Sequence, residues 1–179
     1  MQEPRDGYRI PSDAIHASNI CACDFDYVSA EATLRLELPQ DKAIETMNRW
    51  GGQPLPLSAT CWADDVLTLR LSGARAAVAA ARAKIGGEEV ADADGFWRAV
   101  REQQDDFFSG ATALWRLSLP SKTAPLALPG AQLIEWGGAQ RWLRGELDAG
   151  QLRAIAAQCG GHATLFRADA ESKARVGVF

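Results

Sequence analysis

The chain has 179 residues, 47% of them hydrophobic and 23% charged, and a formal net charge of −4 at pH 7. That is the makeup of a globular protein with room for one or two small domains and real cores. No Lys/Arg cluster marks a nucleic-acid footprint, and no apolar run nears the ~18 residues that span a bilayer, so neither partner is expected.

Residues 1–30 carry no period longer than a few residues, and the sequence predicts a leader of uncertain order there. The leader has no apolar stretch of the secretory kind, which makes the cytoplasm the expected compartment. Of the four cysteines, Cys21 and Cys23 stand too close for zinc spacing, Cys61 and Cys159 are isolated, and His16 and His162 lie far apart. Free thiols and no metal site are expected.

From Ala32 the pattern sharpens. LRLEL at 34–38 alternates as a half-buried strand, and 41–50 places Ile44, Met47 and Trp50 at helical spacing before Gly51 and Gly52. Residues 55–63 and 66–72 flank Asp64-Asp65 as a hairpin. Residues 74–85 form an alanine-rich helix stopped by Gly86 and Gly87, and 88–91 close the unit as a short strand. The order β-α-β-β-α-β is that of a ferredoxin-like unit. A helix over 94–108 follows, with Asp94 as its N-cap and Phe96, Val100 and Phe107 as its apolar stripe.

The segment WRLSLP at 115–120 then repeats LRLELP at 34–39. Trp136 repeats Trp62, and Gly160-Gly161 repeats Gly86-Gly87, with 148–159 as the second helix and 162–168 as the last strand. SKTAPLALPG at 121–130 stands where the first unit has its first helix, and Pro125 and Pro129 argue against a helix there. The expected fold is therefore α+β: two ferredoxin-like units, the second degenerate, with a mainly antiparallel sheet and helices on one face. The boundaries read 1–30 leader, 31–92 first unit, 93–111 connecting helix and 112–179 second unit.

No self-contained catalytic or nucleotide-binding motif is present, and the glycine pairs read as caps and turns. Four features can carry chemistry. Trp97 and Arg101 stand at i and i+4, so an indole can desolvate a guanidinium for carboxylate binding, or Arg101 can pair with a nearby acid. Arg116 alternates out of its strand's leucine face, toward either solvent or an anion-binding cleft. The 132–143 hairpin can bring Trp136 and Trp142 together as an aromatic pair or as the wall of a site for a flat ring. His162 is either a general base at a pocket mouth or a polar turn residue.

The stretches EATLRLEL, VLTLRLSGARAAVAAARAKIGGEEV, FWRAVREQQDDFF, QLIEWGGAQRWLRG and GGHATLFR, in this order, resemble the C-terminal part of the flavin-binding E subunits of glycolate oxidase. Those belong to the FAD-linked oxidases related to vanillyl-alcohol oxidase and D-lactate dehydrogenase. The resemblance runs from about Ala30 to Phe179 and implies a substrate or cap domain built of ferredoxin-like units. It implies oxidation of glycolate or another D-2-hydroxyacid by FAD, with a second flavin subunit and an iron–sulfur subunit as partners. The N-terminal FAD domain of that family has no counterpart in residues 1–30. A fragment inactive alone, with no tightly bound FAD, is therefore expected.

By the same resemblance Arg101 and Arg116 would hold the substrate carboxylate, with Trp136 and Arg141 as the candidates to border the cofactor; the histidine cluster of related oxidases is not matched, and His162 stays the catalytic candidate on its own position. The resemblance also allows a place at the inner face of the membrane through partner subunits. The alternative reading is a non-catalytic ferredoxin-like module for ligand binding or dimerisation.

Overall fold

The computed structural model describes residues 29–110, 113–145 and 147–178. Cys21, Cys23, His16 and nearly all of the expected leader lie outside the described residues. Strand β1 (Ser29–Glu37) leads to helix α1 (Gln40–Gly51), then to β2 (Leu57–Ala63), β3 (Val66–Ala74), helix α2 (Arg75–Ile85) and the two-residue β4 (Glu88–Glu89). Helix α3 (Ala93–Arg101) connects to β5 (Leu114–Ser118), β6 (Ala131–Glu135), β7 (Gln140–Arg144), helix α4 (Ala149–Gln158), β8 (His162–Arg167) and helix α5 (Ala170–Val176).

The eight strands make one sheet in the order β4-β1-β3-β2-β6-β7-β5-β8, with every neighbouring pair antiparallel. Read inward from its own edge, each half has the order fourth, first, third, second. The α+β ferredoxin-like pair expected from the repeat is thus what the chain forms.

The repeat keeps a fixed step from the second strand onward. Leu57, Val66, Arg75 and Glu88 begin elements that recur 74 residues later at Ala131, Gln140, Ala149 and His162. Across the junction Cys61 pairs with Glu135, Trp62 with Ile134 and Ala63 with Leu133. Cys61 and Glu135 are themselves 74 residues apart, so equivalent positions of the two units face each other. The β2–β6 seam therefore lies on a pseudo-two-fold axis.

Local chemistry explains the elements. Asp64 and Asp65 both adopt positive φ, +48° and +58°, as a two-residue hairpin requires. In α1, Ala43, Ile44, Met47 and Trp50 are buried on one stripe. In the second unit, residues 119–130 run without a helix, and two polar side chains fix them instead. Arg141 donates to the carbonyls of Thr123, Ala124 and Gly138, and Gln132 Nε2 donates to those of Leu126 and Leu128. Gln40 of α1 in turn donates to Gln132 Oε1 at 2.9 Å.

Helices α1, α2 and α4, those of the two units, pack on one face. There Leu34, Trp62, Leu69 and Ile134 form one buried cluster and Trp115, Leu117, Leu143 and Leu165 another. Each such large side chain contributes roughly 1.5–3 kcal/mol on burial. The connecting segment lies on the opposite face, where Val100, Phe107 and Phe108 cover Cys61, Leu114, Leu133 and Trp142.

That segment departs from the expected 94–108 helix in two ways. Its N-cap is Asp92, whose carboxylate accepts from Gly95 N, and not Asp94. It also stops at Arg101, because Gln103 takes φ +55°, and a separate 3-10 turn at Asp106–Phe108 carries the phenylalanines. The Gly86-Gly87 and Gly160-Gly161 pairs have a packing reason: a Cβ on Gly87 would collide with the carbonyl of Arg35, and one on Gly161 with that of Ser118.

Candidate functional site

The face that carries α3 holds a cleft of about 950 Å³, near the upper end of the range for small-molecule sites. It opens where the β2–β6 ladder ends, and its walls include Leu57–Thr60 of β2 and the turn after β6. Side-chain bonds, not ladder bonds, bridge the opening. Gly137 N donates to Thr60 Oγ1 at 2.9 Å, and Asn48 Nδ2 donates to the carbonyls of Gly137 and Ser121.

Four arginines line this space, Arg70, Arg98, Arg101 and Arg116, against two carboxylates, Asp94 and Glu135. In a chain of net charge −4 that is a local reversal of sign, and it favours anions. The aromatic walls are Trp97, Trp136, Trp142 and Phe166.

Arg116 points out of β5 on this face, between Trp142 of β7 and Thr164 of β8. Its guanidinium carbon lies 5.6 Å from the Phe166 ring centroid. Among the described residues it makes no hydrogen bond and no ion pair. The hydroxyl of its neighbour Thr164 is buried and likewise has no partner. Cationic stacking without a counter-ion leaves all five N–H donors of Arg116 without a partner among the described residues.

The repeat gives Arg116 related arginines for comparison, one of which, Arg35, likewise makes no side-chain hydrogen bond or ion pair among the described residues. Arg35, the counterpart of Arg116, stacks on Phe96 and lines a smaller cavity of about 570 Å³. Arg144, the counterpart of Arg70, stacks on Phe107 and donates to the carbonyls of Asp106, Phe107 and Ser109, which fixes the 3-10 turn. Only Arg70 and Arg116 of these four face the large cleft.

Glu135, at the pseudo-axis, is kept apart from the arginines by neutral donors. Its Oε2 accepts from Trp142 Nε1 at 2.6 Å and from Gln140 Nε2 at 3.0 Å. Behind it, burial first, with Glu135 and Asp105 adding to it, pushes the Cys61 thiol far up, so Cys61 is protonated and inert.

The structure brings Arg101, Arg116 and Trp136 to one cleft and leaves Arg141 and His162 out of its lining. Arg101 does not stack on Trp97; it pairs with Glu102 at 2.8 Å and stays largely exposed. The cation over Trp97 is Arg70, at 5.8 Å, and the indole N–H of Trp97 donates to Thr33 Oγ1. Arg141 is a structural residue on the opposite face of the sheet. It is 2% exposed, it binds loop carbonyls, and burial pulls its guanidinium below the ordinary value. It lines neither the large cleft nor the smaller cavity at Arg35. His162 is exposed at the start of edge strand β8. Trp136 does not form the expected pair with Trp142: it is 73% exposed, on a 3-10 turn at φ +53°, while Trp142 is buried against Phe108 and Phe166.

Arg70 and Arg98 are the lining residues that motif reading passed over. A signal existed for Arg70, since its alternation with Leu69 and Leu71 puts it on the face opposite the helices of its unit.

No family model matches the chain, and no solved structure matches it. A relative does: glycolate oxidase subunit GlcE of Escherichia coli (strain K12) is 48% identical over 139 residues. The chain is related to part of that oxidase subunit. The match covers 78% of this chain and 39% of the relative, so the chain spans well under half of the relative's length. Among the described residues no helix is long and apolar enough to cross a membrane, and no group of three or more His, Cys, Asp or Glu residues is placed to hold a metal ion.

Proposed function

We propose that this chain is a substrate-domain portion of a glycolate oxidase flavin subunit, and that its cleft binds the carboxylate of glycolate or another D-2-hydroxyacid. The observation that carries this reading is Arg116: a guanidinium stacked on Phe166 and without a counter-ion among the described residues, inside a large cationic cleft, in a chain 48% identical over 139 residues to glycolate oxidase subunit GlcE.

FAD is the cofactor of the parent enzyme on this reading, and it would accept the hydride from the substrate's α-carbon. The described residues do not fit it as a whole. Gly87, Gly138 and Gly161 close on neighbouring backbone carbonyls, and the two open glycines of the cleft lining, Gly51 at the end of α1 and Gly137 in the turn after β6, do not stand at the start of an α-helix where a pyrophosphate would be cradled. What the chain itself supplies is anion binding and orientation. Arg116 offers a two-pronged donor to a carboxylate, Trp142 and Phe166 exclude water beside it, and Arg101 adds positive potential from α3. The chain alone is therefore inactive, and activity belongs to an assembly that includes the other oxidase subunits.

Tryptophan fluorescence tests the reading, because three indoles line the cleft. Glycolate should change the emission of the full chain saturably, Arg116→Gln should remove the response, and the purified chain should show no flavin absorbance. Unaltered glycolate binding by Arg116→Gln overturns the assignment.

A further inference from the structure

Arg70 and Arg116 cannot grip the same small anion. Arg70 is on β3 and Arg116 on β5, with β2, β6 and β7 between them. Four strand spacings put their backbones about 19 Å apart along the sheet. The side chains do not close that gap. Arg70 leans only as far as β2, where its Nε donates to Ser58 Oγ at 3.0 Å. Arg116 leans the other way, outward onto Phe166 of β8. Roughly three strand spacings, about 14 Å, remain between the cationic groups. The ground between them holds Glu135 at the pseudo-axis, a carboxylate that repels an anion placed midway.

We infer that the cleft has two separate anion positions, one on each side of the seam: a carboxylate position at Arg116 and a second oxyanion position at Arg70 and Arg98. The second position has its own equipment. Arg70 is oriented by Ser58 and by the Trp97 indole, which Thr33 holds through a 2.9 Å bond. Like Arg116, neither Arg70 nor Arg98 has a carboxylate partner among the described residues. Ser58 sits at a bulge in β2, where the register slips between Leu57 and Ala59, and that irregularity brings its hydroxyl to Arg70. With Nε held by Ser58, whose hydroxyl donates to the Arg70 carbonyl, the remaining guanidinium donors suit a carboxylate or phosphoryl group. The Arg116 position rests on the functional reading above; the Arg70 position does not.

The test uses the full chain, inorganic phosphate and glycolate, with the arginine Nε–H resonances as site-specific probes. Phosphate should shift the Arg70 signal saturably, and glycolate should shift that of Arg116. Arg70→Gln should weaken phosphate binding at least about tenfold and leave the Arg116 response to glycolate within about twofold, with Arg116→Gln doing the reverse. Arg70→Lys keeps the charge but loses the fork, and it should recover only part of the phosphate affinity. Circular dichroism would establish that the variants fold; if Arg70→Gln does not, Ser58→Ala replaces it and should weaken phosphate alone.

If either glutamine variant abolishes both responses, the cleft has one shared position and the inference fails. If phosphate leaves Arg70 untouched while glycolate still saturates Arg116, the second position fails and the oxidase reading survives. If phosphate binds at Arg70 while glycolate ignores Arg116, the second position stands and the oxidase reading fails. Shifts that follow ionic strength alone, and persist in the double variant, also overturn it.

Discussion

Trp142 holds Glu135 by a 2.6 Å bond from its indole N–H, while Arg116, directly opposite Trp142 on β5, has no ion pair among the described residues. A carboxylate in a cleft of arginines would ordinarily neutralise one of them. Two neutral donors, Trp142 and Gln140, occupy it instead, and the guanidinium stays available for a ligand. Trp142→Phe should therefore have two effects. Loss of a bond to a charged acceptor should cost about 1–2 kcal/mol, read as a lower urea midpoint at unchanged slope. Freed Glu135 should also weaken glycolate binding at Arg116, and Glu135→Gln in the same background should restore it.

Arg141 ties the coil at 119–130 to β7 through the carbonyls of Thr123 and Ala124, beside the apolar contacts of Leu119, Leu126 and Leu128. Arg141→Leu would leave the carbonyls of Thr123, Ala124 and Gly138 without their shared donor. A loss of about 2–4 kcal/mol is expected from the unsatisfied groups together. Amide exchange should quicken first in residues 121–130. Arg141→Lys should not rescue it, since one ammonium cannot reproduce a planar fork aimed at several carbonyls.

Trp136 is bulky, exposed and at φ +53°, a conformation that costs a non-glycine residue roughly 1 kcal/mol or more. Trp136→Asn should leave the chain as stable or raise its stability by up to about 1 kcal/mol in thermal unfolding. Because the indole lines the cleft, ligand binding should weaken in the same variant.

Acid should loosen the C-terminal helix first. Bonds from the Ser172 backbone N–H and hydroxyl hold the Asp169 carboxyl below its ordinary value. A depressed folded value means that its contribution is complete above the ordinary range near 3.9 and disappears as pH falls through the lower, folded value. Below pH ~4 the Leu165 amide, which donates to Val178 O at 3.0 Å, should lose exchange protection before the sheet centre does. Asp169→Asn should make that protection independent of pH in this range.

The repeat was legible because its anchors are steric. A Leu-Pro strand end, glycines pressed on a strand carbonyl and a proline-rich gap each leave one residue type in place. The site was legible only in part. Alternation put Arg116 on the face opposite Trp115, Leu117 and Leu119, and it lines the cleft there. The partner of Trp97 was not legible, because i to i+4 proximity on α3 competes with Arg70, which reaches the indole from a strand remote in sequence. Trp136 was misleading: it follows Trp62 by the repeat step, yet one is buried and the other exposed. The β2 ladder continues past Trp62, while the backbone turns left-handed at Trp136. The early stop of α3 gives no warning either, since glutamine carries no mark of positive φ.

The seam has a further consequence for solubility. A lone four-stranded unit would expose the outer edge of its second strand, a row of unmet N–H and C=O groups that invites aggregation. Here the β2 edge meets its own counterpart β6 about a two-fold axis, as the edges of an isologous dimer would, but within one polypeptide. Among the described residues the edges that remain are β1, covered by the two-residue β4 only at Leu34 and Arg35, and β8, whose Leu165 amide is already bonded to Val178. Joining the copies through the seam thus covers the Cys61–Ala63 end of the templating edge that each would have carried alone.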